Sequence, residues 1–266
     1  MRRALTTRLE HLGAGALAAL TTSRGLWLTT VGTIAGLIRG GRAPGEIRRQ
    51  LLAIGNRSLL FIAVTLGFLG MVLVYQTCLQ SQRVTGDLSQ VGVQLLRLAV
   101  SDFAPTLTGL MLATRVGAGI AAELGSMKVT EQLDALRMSG VLPIDYLLVP
   151  RFLASIVMTV ALTILGAAIM YGAGGLTAWL SFGVNPRTFF DPAMVQPRHL
   201  ALGLIKAVTY GAAIPIVAGF CGLRARGSSE GVGWATTAAV VGSSFAVIAL
   251  DFALSVGALW VFGGDL

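Results

Sequence analysis

Gly117–Arg151 reads GAGIAAELGSMKVTEQLDALRMSGVLPIDYLLVPR, a polar, helix-patterned insert between two long apolar segments. Spans that need only sit in lipid can be joined by a short turn. A charged insert of this length points instead to something in the aqueous phase docking on it. Ser126 and Thr130 are candidate caps, Glu131 and Asp134 lie near the start, Arg137 lies near the end, and Gly140 stops the helix. That order suits the helix dipole and offers an i,i+3 ion pair between Asp134 and Arg137. Leu133, Leu136 and Met138 supply an apolar side. A solvated connector with no partner would read the same way, so spacing alone leaves both readings open.

The rest of the chain explains why the insert stands out. Hydrophobic residues make up 55% of the 266 residues and charged residues only 12%. A soluble domain carries roughly 25% charged residues, so the polar surface needed to solvate a globule of this size is missing. The 34 glycines fit close approach of membrane helices. The net charge of +8 would raise nucleic-acid binding in a soluble protein, but base-reading motifs and interleaved aromatics are absent. Much of the positive charge lies near the N-terminus, where a topology signal and an anionic lipid surface account for it.

Two parts follow. Residues 1–57 form a basic interfacial segment. Trp27, Val31, Ile34 and Ile38 recur at helical spacing, with Thr29, Thr30 and Thr33 off that face; Ile47, Leu51 and Ile54 repeat the pattern beyond a break at Gly40–Gly45. Glu10 and His11 interrupt the approach to a short apolar run, so the N-terminus reads as a mature segment and not as a cleaved signal. Residues 58–266 hold five spans, near 58–79, 98–122, 146–179, 200–223 and 235–262. The third is too long for one straight crossing and is expected to tilt or break near Gly172–Gly175, and Pro215 is expected to kink the fourth. The fold class is therefore an all-α membrane protein: interfacial amphipathic helices, five transmembrane helices, and a cytoplasmic coupling helix between spans 2 and 3. Arginines crowd the first 57 residues and the loops after spans 2 and 4, which places the N-terminus in the cytoplasm and the C-terminus outside.

Catalytic chemistry finds no support. His11 and His199 are far apart, Cys78 and Cys221 fall on opposite membrane faces, and no phosphate-binding G-x-x-x-x-G-K-[ST] loop occurs. No cofactor or metal is expected. Any ATP hydrolysis belongs to another polypeptide. Asp102, Arg115, Lys206 and Asp251 sit in or near spans and must face protein or water. Lys206 and Asp251 fall at similar depth and are expected to pair. Leu69, Val72, Leu73 and Gln76 form an apolar stripe ending in a polar residue, with Asp102 at the same level: a pattern suited to an amphiphile. Gly117, Ala121 and Gly125 form a row of small residues that serves either packing within one subunit or a subunit interface.

AELGSMKVTEQLDAL at 122–136, followed by Gly140, Pro143, Tyr146-Leu147 and Pro150-Arg151, closely resembles the MlaE/YrbE-type permeases, the membrane subunits of ABC transporters that work with MCE proteins. The resemblance extends from Gly70 to the C-terminus through Arg115-Val116-Gly117-Ala118-Gly119, Leu204-Ile205-Lys206, Ala235–Val241 and Leu250-Asp251-Phe252. It implies a homodimer in a bacterial inner membrane, a cytoplasmic ABC ATPase, a periplasmic MCE ring and a phospholipid cargo. The ATPase would dock on the 123–140 helix, with Lys128, Glu131, Gln132, Asp134 and Arg137 as coupling residues. The cargo cavity would lie between the two copies, near Leu69, Val72, Leu73, Gln76, Asp102, Phe103 and Leu107. The chain departs from the family at Ser101-Asp102-Phe103-Ala104-Pro105, where Arg-Glu-Leu-Gly-Pro is common, and at Gly231-Val232-Gly233-Trp234, where Ser-Arg is usual. A membrane scaffold without a translocation path is the competing reading.

Overall fold

A computed structural model describes residues 2–40, 45–84, 86–190 and 196–262. The described residues are helical and contain no strand. Five helical stretches are long and apolar enough to cross a membrane.

The first helix, α1, runs Arg2–Arg39. Gly40 and Gly45 take left-handed backbone angles on either side of the break, φ 75° and 87°; residues 41–44, where the remainder of the expected break falls, lie outside the described residues. The stripe expected to be buried in lipid is turned outward: Trp27, Val31, Ile34 and Ile38 are exposed, while Thr29 and Thr33 are buried. Burying that threonine face leaves no orphan hydroxyl, because Thr29 donates to the Gly25 carbonyl and Thr33 to the Thr29 carbonyl. α1 leans on the start of the third span, where Arg39 pairs with Asp145 at 3.2 Å.

The second helix, α2, runs Glu46–Val84 without interruption. Residue 57, where the interfacial segment is expected to end, lies inside this continuous helix. Arg48, Arg49 and Arg57 are on the same helix as the apolar run of the first span. At 1.5 Å per residue its 39 residues reach roughly 58 Å, well beyond a bilayer core of about 30 Å.

The second span is assembled from α3 (Val91–Leu98), a π-helical turn (Ala99–Phe103), α4 (Ala104–Leu112), a second π turn (Ala113–Gly117) and α5 (Ala118–Val129). A π turn adds a residue to one turn and re-aims the side chains on it, and such turns are frequent at functional sites. These two carry Asp102 and Arg115. The short α6 (Gln132–Met138) follows. A third π turn (Ile144–Leu148) opens α7 (Val149–Phe182). α7 passes unbroken through Gly172–Gly175, so the expected break does not occur there. Gly174 and Gly175 serve packing instead: a β-carbon on Gly174 would lie 2.7 Å from both Val74 and Leu95. The short α8 (Pro186–Phe189), capped by the Asn185 side chain, leads toward α9 (Pro197–Leu223), which continues as helix through Pro215. α10 (Ser229–Phe262) completes the bundle.

α2 packs along α7, and α9 fills the centre between α7, α5 and α10. Gly70 lets α2 approach α7 so closely that a β-carbon there would lie 2.2 Å from the Met170 carbonyl oxygen. The row Gly117, Ala121 and Gly125 faces α9 and the α9–α10 side of the same chain: the nearest groups are Ser243 and Ile214 at Gly117, Gly222 at Ala121, and Ala225 and Val232 at Gly125. α10 is the least covered span, with Val241, Phe245, Ile248 and Phe252 exposed at helical spacing.

Candidate functional site

α9 reaches the first π turn through Gly203, where a β-carbon would lie 2.1 Å from the Val100 carbonyl oxygen. One helical turn on, Lys206 is fully buried. Its ammonium lies 2.9 Å from Asp251 of α10 and 2.5 Å from Asp102 of the π turn. Asp251 also accepts from the Tyr210 hydroxyl at 2.7 Å and the Thr106 hydroxyl at 2.9 Å. Spans 2, 4 and 5 thus meet on one buried cation held by two carboxylates, in a setting where an unpaired charge is expensive.

Depth in the spans pairs Lys206 with Asp251 alone and leaves Asp102 to the cargo; the structure brings all three together. Thr106 and Tyr210 join them without having been expected from the sequence, although each lies four residues after one of these charges, at the spacing that shares a helix face.

Asp102 also opens, with its side chain about half exposed, onto a cavity of about 460 Å³. Gln94, Arg97, Ser101 and His199 line it beside Leu98, Leu202, Ser255 and Leu259. Polar groups of both charge signs and apolar side chains therefore share one wall. Leu69, Val72, Leu73 and Gln76 line none of the described cavities. Val72 and Gln76 are exposed on α2, Leu69 and Leu73 are half-buried against the core, and Phe103 and Leu107 pack there too. Because Val74 and Leu95 both reach Gly174, the Gln76 end of α2 is level with α3 and the cavity.

At the other end, α5 and α6 do not form the single 126–140 helix the spacing suggested. α5 ends at Val129, and Glu131 adopts a left-handed backbone, φ 60°, before α6 begins. Ser126 is therefore interior to α5. Thr130 closes α5 by donating to the Ser126 carbonyl. Asp134 binds Arg137 at 2.9 Å and Lys128 at 3.2 Å, which ties the two helices across the corner. Gly140 turns the chain away with φ 81°. Leu133 is buried, whereas Met138 is 91% exposed and stands on the free side with Glu131, Gln132 and Arg137. Close by, Arg151 is almost completely buried and pairs with Glu123 of α5 at 2.7 Å, a link that the spacing of the two residues does not suggest.

Among the described residues no group of histidine, cysteine and carboxylate side chains is placed to hold a metal ion, and both cysteines are free.

Comparison with known proteins decides the family. The profile of the family "Permease MlaE" matches residues 47–256, most of the chain. The chain belongs to the MlaE permease family. Its relatives include a probable ABC transporter permease protein of Rickettsia felis, 35% identical over 230 residues, covering 86% of this chain and 88% of the relative. Another from Synechocystis is 38% identical over 210 residues, covering 77% and 79%. A third, from Haemophilus influenzae, is the intermembrane phospholipid transport system permease protein MlaE, 34% identical over 213 residues, covering 78% and 80%. In this member of the MlaE family the matched region begins where α2 begins, so α1 lies ahead of it.

Proposed function

We propose that this chain is the membrane subunit of an ABC transporter that moves phospholipid or a related lipid between the inner and outer membranes of a bacterium. It works as a homodimer, with a separate cytoplasmic ATPase and a periplasmic MCE protein. The observation that carries the reading is membership of the MlaE family together with the phospholipid-transport name of the Haemophilus relative. The arrangement of the chain supports it. The arginine-rich N-terminal segment and loops favour an α6 end in the cytoplasm, an α1 on the membrane surface and a periplasmic C-terminus. α6 then offers the ATPase an exposed face of Glu131, Gln132, Arg137 and Met138. At the opposite end, the cavity beside Asp102 and the stripe Leu69, Val72, Leu73 and Gln76 combine hydrogen-bonding groups with aliphatic surface, which suits a lipid headgroup and its chains. The exposed apolar face of α10 and the outer part of α2 are surfaces that a second copy or lipid would cover.

Native mass spectrometry of the purified complex tests this. Two copies of this chain, an ATPase, an MCE protein and bound phospholipid are expected together. A scaffold would be revealed by partners without lipid and without stimulation of ATP turnover.

A further inference from the structure

A second cavity, of about 400 Å³, lies at the α6 end between α2, the second span and α7. That volume is within the ordinary range of small-ligand sites. Its polar lining is Gln50 and Arg57 of α2, Arg115 of the second π turn, Glu123 of α5 and Arg151 of α7. Three guanidinium groups thus face one carboxylate.

The single carboxylate is already engaged, because Glu123 holds Arg151 at 2.7 Å. The neighbouring Glu46 is engaged as well, with Arg49 at 2.9 Å and Gln50 at 2.8 Å. Arg115, level with the start of the first span, donates to the Ser58 hydroxyl. Among the described residues neither Arg115 nor Arg57 has a carboxylate within ion-pair distance. Arg151 is 1% exposed, and its Nε has no hydrogen-bond partner in the chain. A buried guanidinium donor left over beside two uncompensated guanidinium groups describes an anion site, and planar forks of this kind fit phosphate.

The surroundings specify which phosphate. Ile54, Val116 and Ile120 share the cavity wall. On α2, Leu60, Phe61 and Val64 follow Arg57 at helical spacing and are exposed. A cation at the membrane edge followed by a bare apolar face is the outline of an acidic headgroup with its acyl chains, and basic pockets between membrane helices bind such headgroups.

We infer that the pocket formed by Arg57, Arg115 and Arg151 holds the headgroup phosphate of an anionic lipid in the leaflet that faces α6. This site is separate from the cavity at Asp102. It rests on the membrane reading of the fold and on the orientation given above only for naming that leaflet cytoplasmic. Glu123 ties the site to α5, the helix that leads into α6.

The test is a lipid titration of the purified permease, with the subunits that accompany it, in neutral detergent, with bound lipid followed by native mass spectrometry. Phosphatidylglycerol should bind more tightly than phosphatidylcholine. Arg57→Gln and Arg115→Gln should each weaken phosphatidylglycerol about tenfold or more, as loss of a charge-assisted pair implies. Arg187→Gln on α8 should have no effect. Arg115→Lys, which keeps the charge and loses the fork, should give an intermediate loss and covers the case in which the glutamine variant does not fold. Equal binding of the two lipids, or undiminished binding in Arg57→Gln and Arg115→Lys, overturns the proposal. Displacement of phosphatidylglycerol by millimolar inorganic phosphate would show a free-anion site and overturn the lipid assignment. The titration needs neither ATP nor cargo movement, so its failure leaves the transport reading standing, and failure of transport leaves this site standing.

Discussion

Gly203 sits so close to Val100 that a β-carbon on it would lie 2.1 Å from the Val100 carbonyl oxygen. That contact seats α9 against the first π turn, and one turn later Lys206 meets Asp102 at 2.5 Å. Gly203→Ala must push the helices apart. We expect a loss of about 1–3 kcal/mol, as overpacking of a tight core brings, seen as a lower unfolding midpoint in detergent. The same substitution at Gly172, interior to α7 and with nothing within 4 Å of its added carbon, should hold or raise the midpoint, because alanine favours the helix over glycine.

Lys206 is the shared partner of two carboxylates, and this orders the effects of substitution. Lys206→Met leaves Asp102 and Asp251 without their cation and should be the most damaging, by roughly 3–5 kcal/mol, as for a broken buried pair. Asp102→Asn and Asp251→Asn each leave Lys206 one carboxylate and should cost less. A double-mutant cycle between Lys206 and Asp251 should show coupling. Additive losses would mean the three residues do not act as a unit.

Glu131 supplies a backbone angle as well as a charge. Its left-handed conformation costs a residue with a β-carbon about 1–2 kcal/mol, which glycine avoids. Glu131→Gly should therefore hold or raise the unfolding midpoint, while Glu131→Val should lower it. A fall with glycine would show that the carboxylate, and not the corner, matters to the fold.

Charge reversal on the same corner addresses docking. Replacing Glu131 and Asp134 with Lys removes the ion pairs of Asp134 with Lys128 and Arg137 and inverts the exposed face. Insertion and dimerisation should survive, whereas ATPase association in pull-downs should be lost. Normal association and transport in the double variant would sink the assignment of α6 as the docking element.

Much of this architecture is legible in the sequence, for identifiable reasons. Long apolar runs bounded by arginines leave few alternatives to five spans, and the cost of lone charges in lipid makes Lys206 and Asp251 look for each other. What escapes is local. The π turns at 99–103 and 113–117 carry no compositional mark, so Asp102 could not be aimed at Lys206 by counting turns. The left-handed corner at Glu131 is invisible because nothing about glutamate announces it. Gly174 and Gly175 suggested a break, but glycine also permits close packing, and only the neighbours Val74, Leu95 and Phe190 decide between the two. The Arg151–Glu123 pair joins residues whose spacing has no helical period.

The proposed cargo site places phospholipid beside α2 and Asp102, at the end of the permease opposite α6. Photocrosslinking side chains at Leu73, Gln76 and, as a comparison on the exposed face of α10, Ile248 test it most directly in the assembled transporter. Phospholipid capture at Leu73 and Gln76 should stand well above that at Ile248 and should fall at Gln76 on Asp102→Asn. Equal capture at all three positions would report only contact with bulk bilayer and would contradict a defined cargo site.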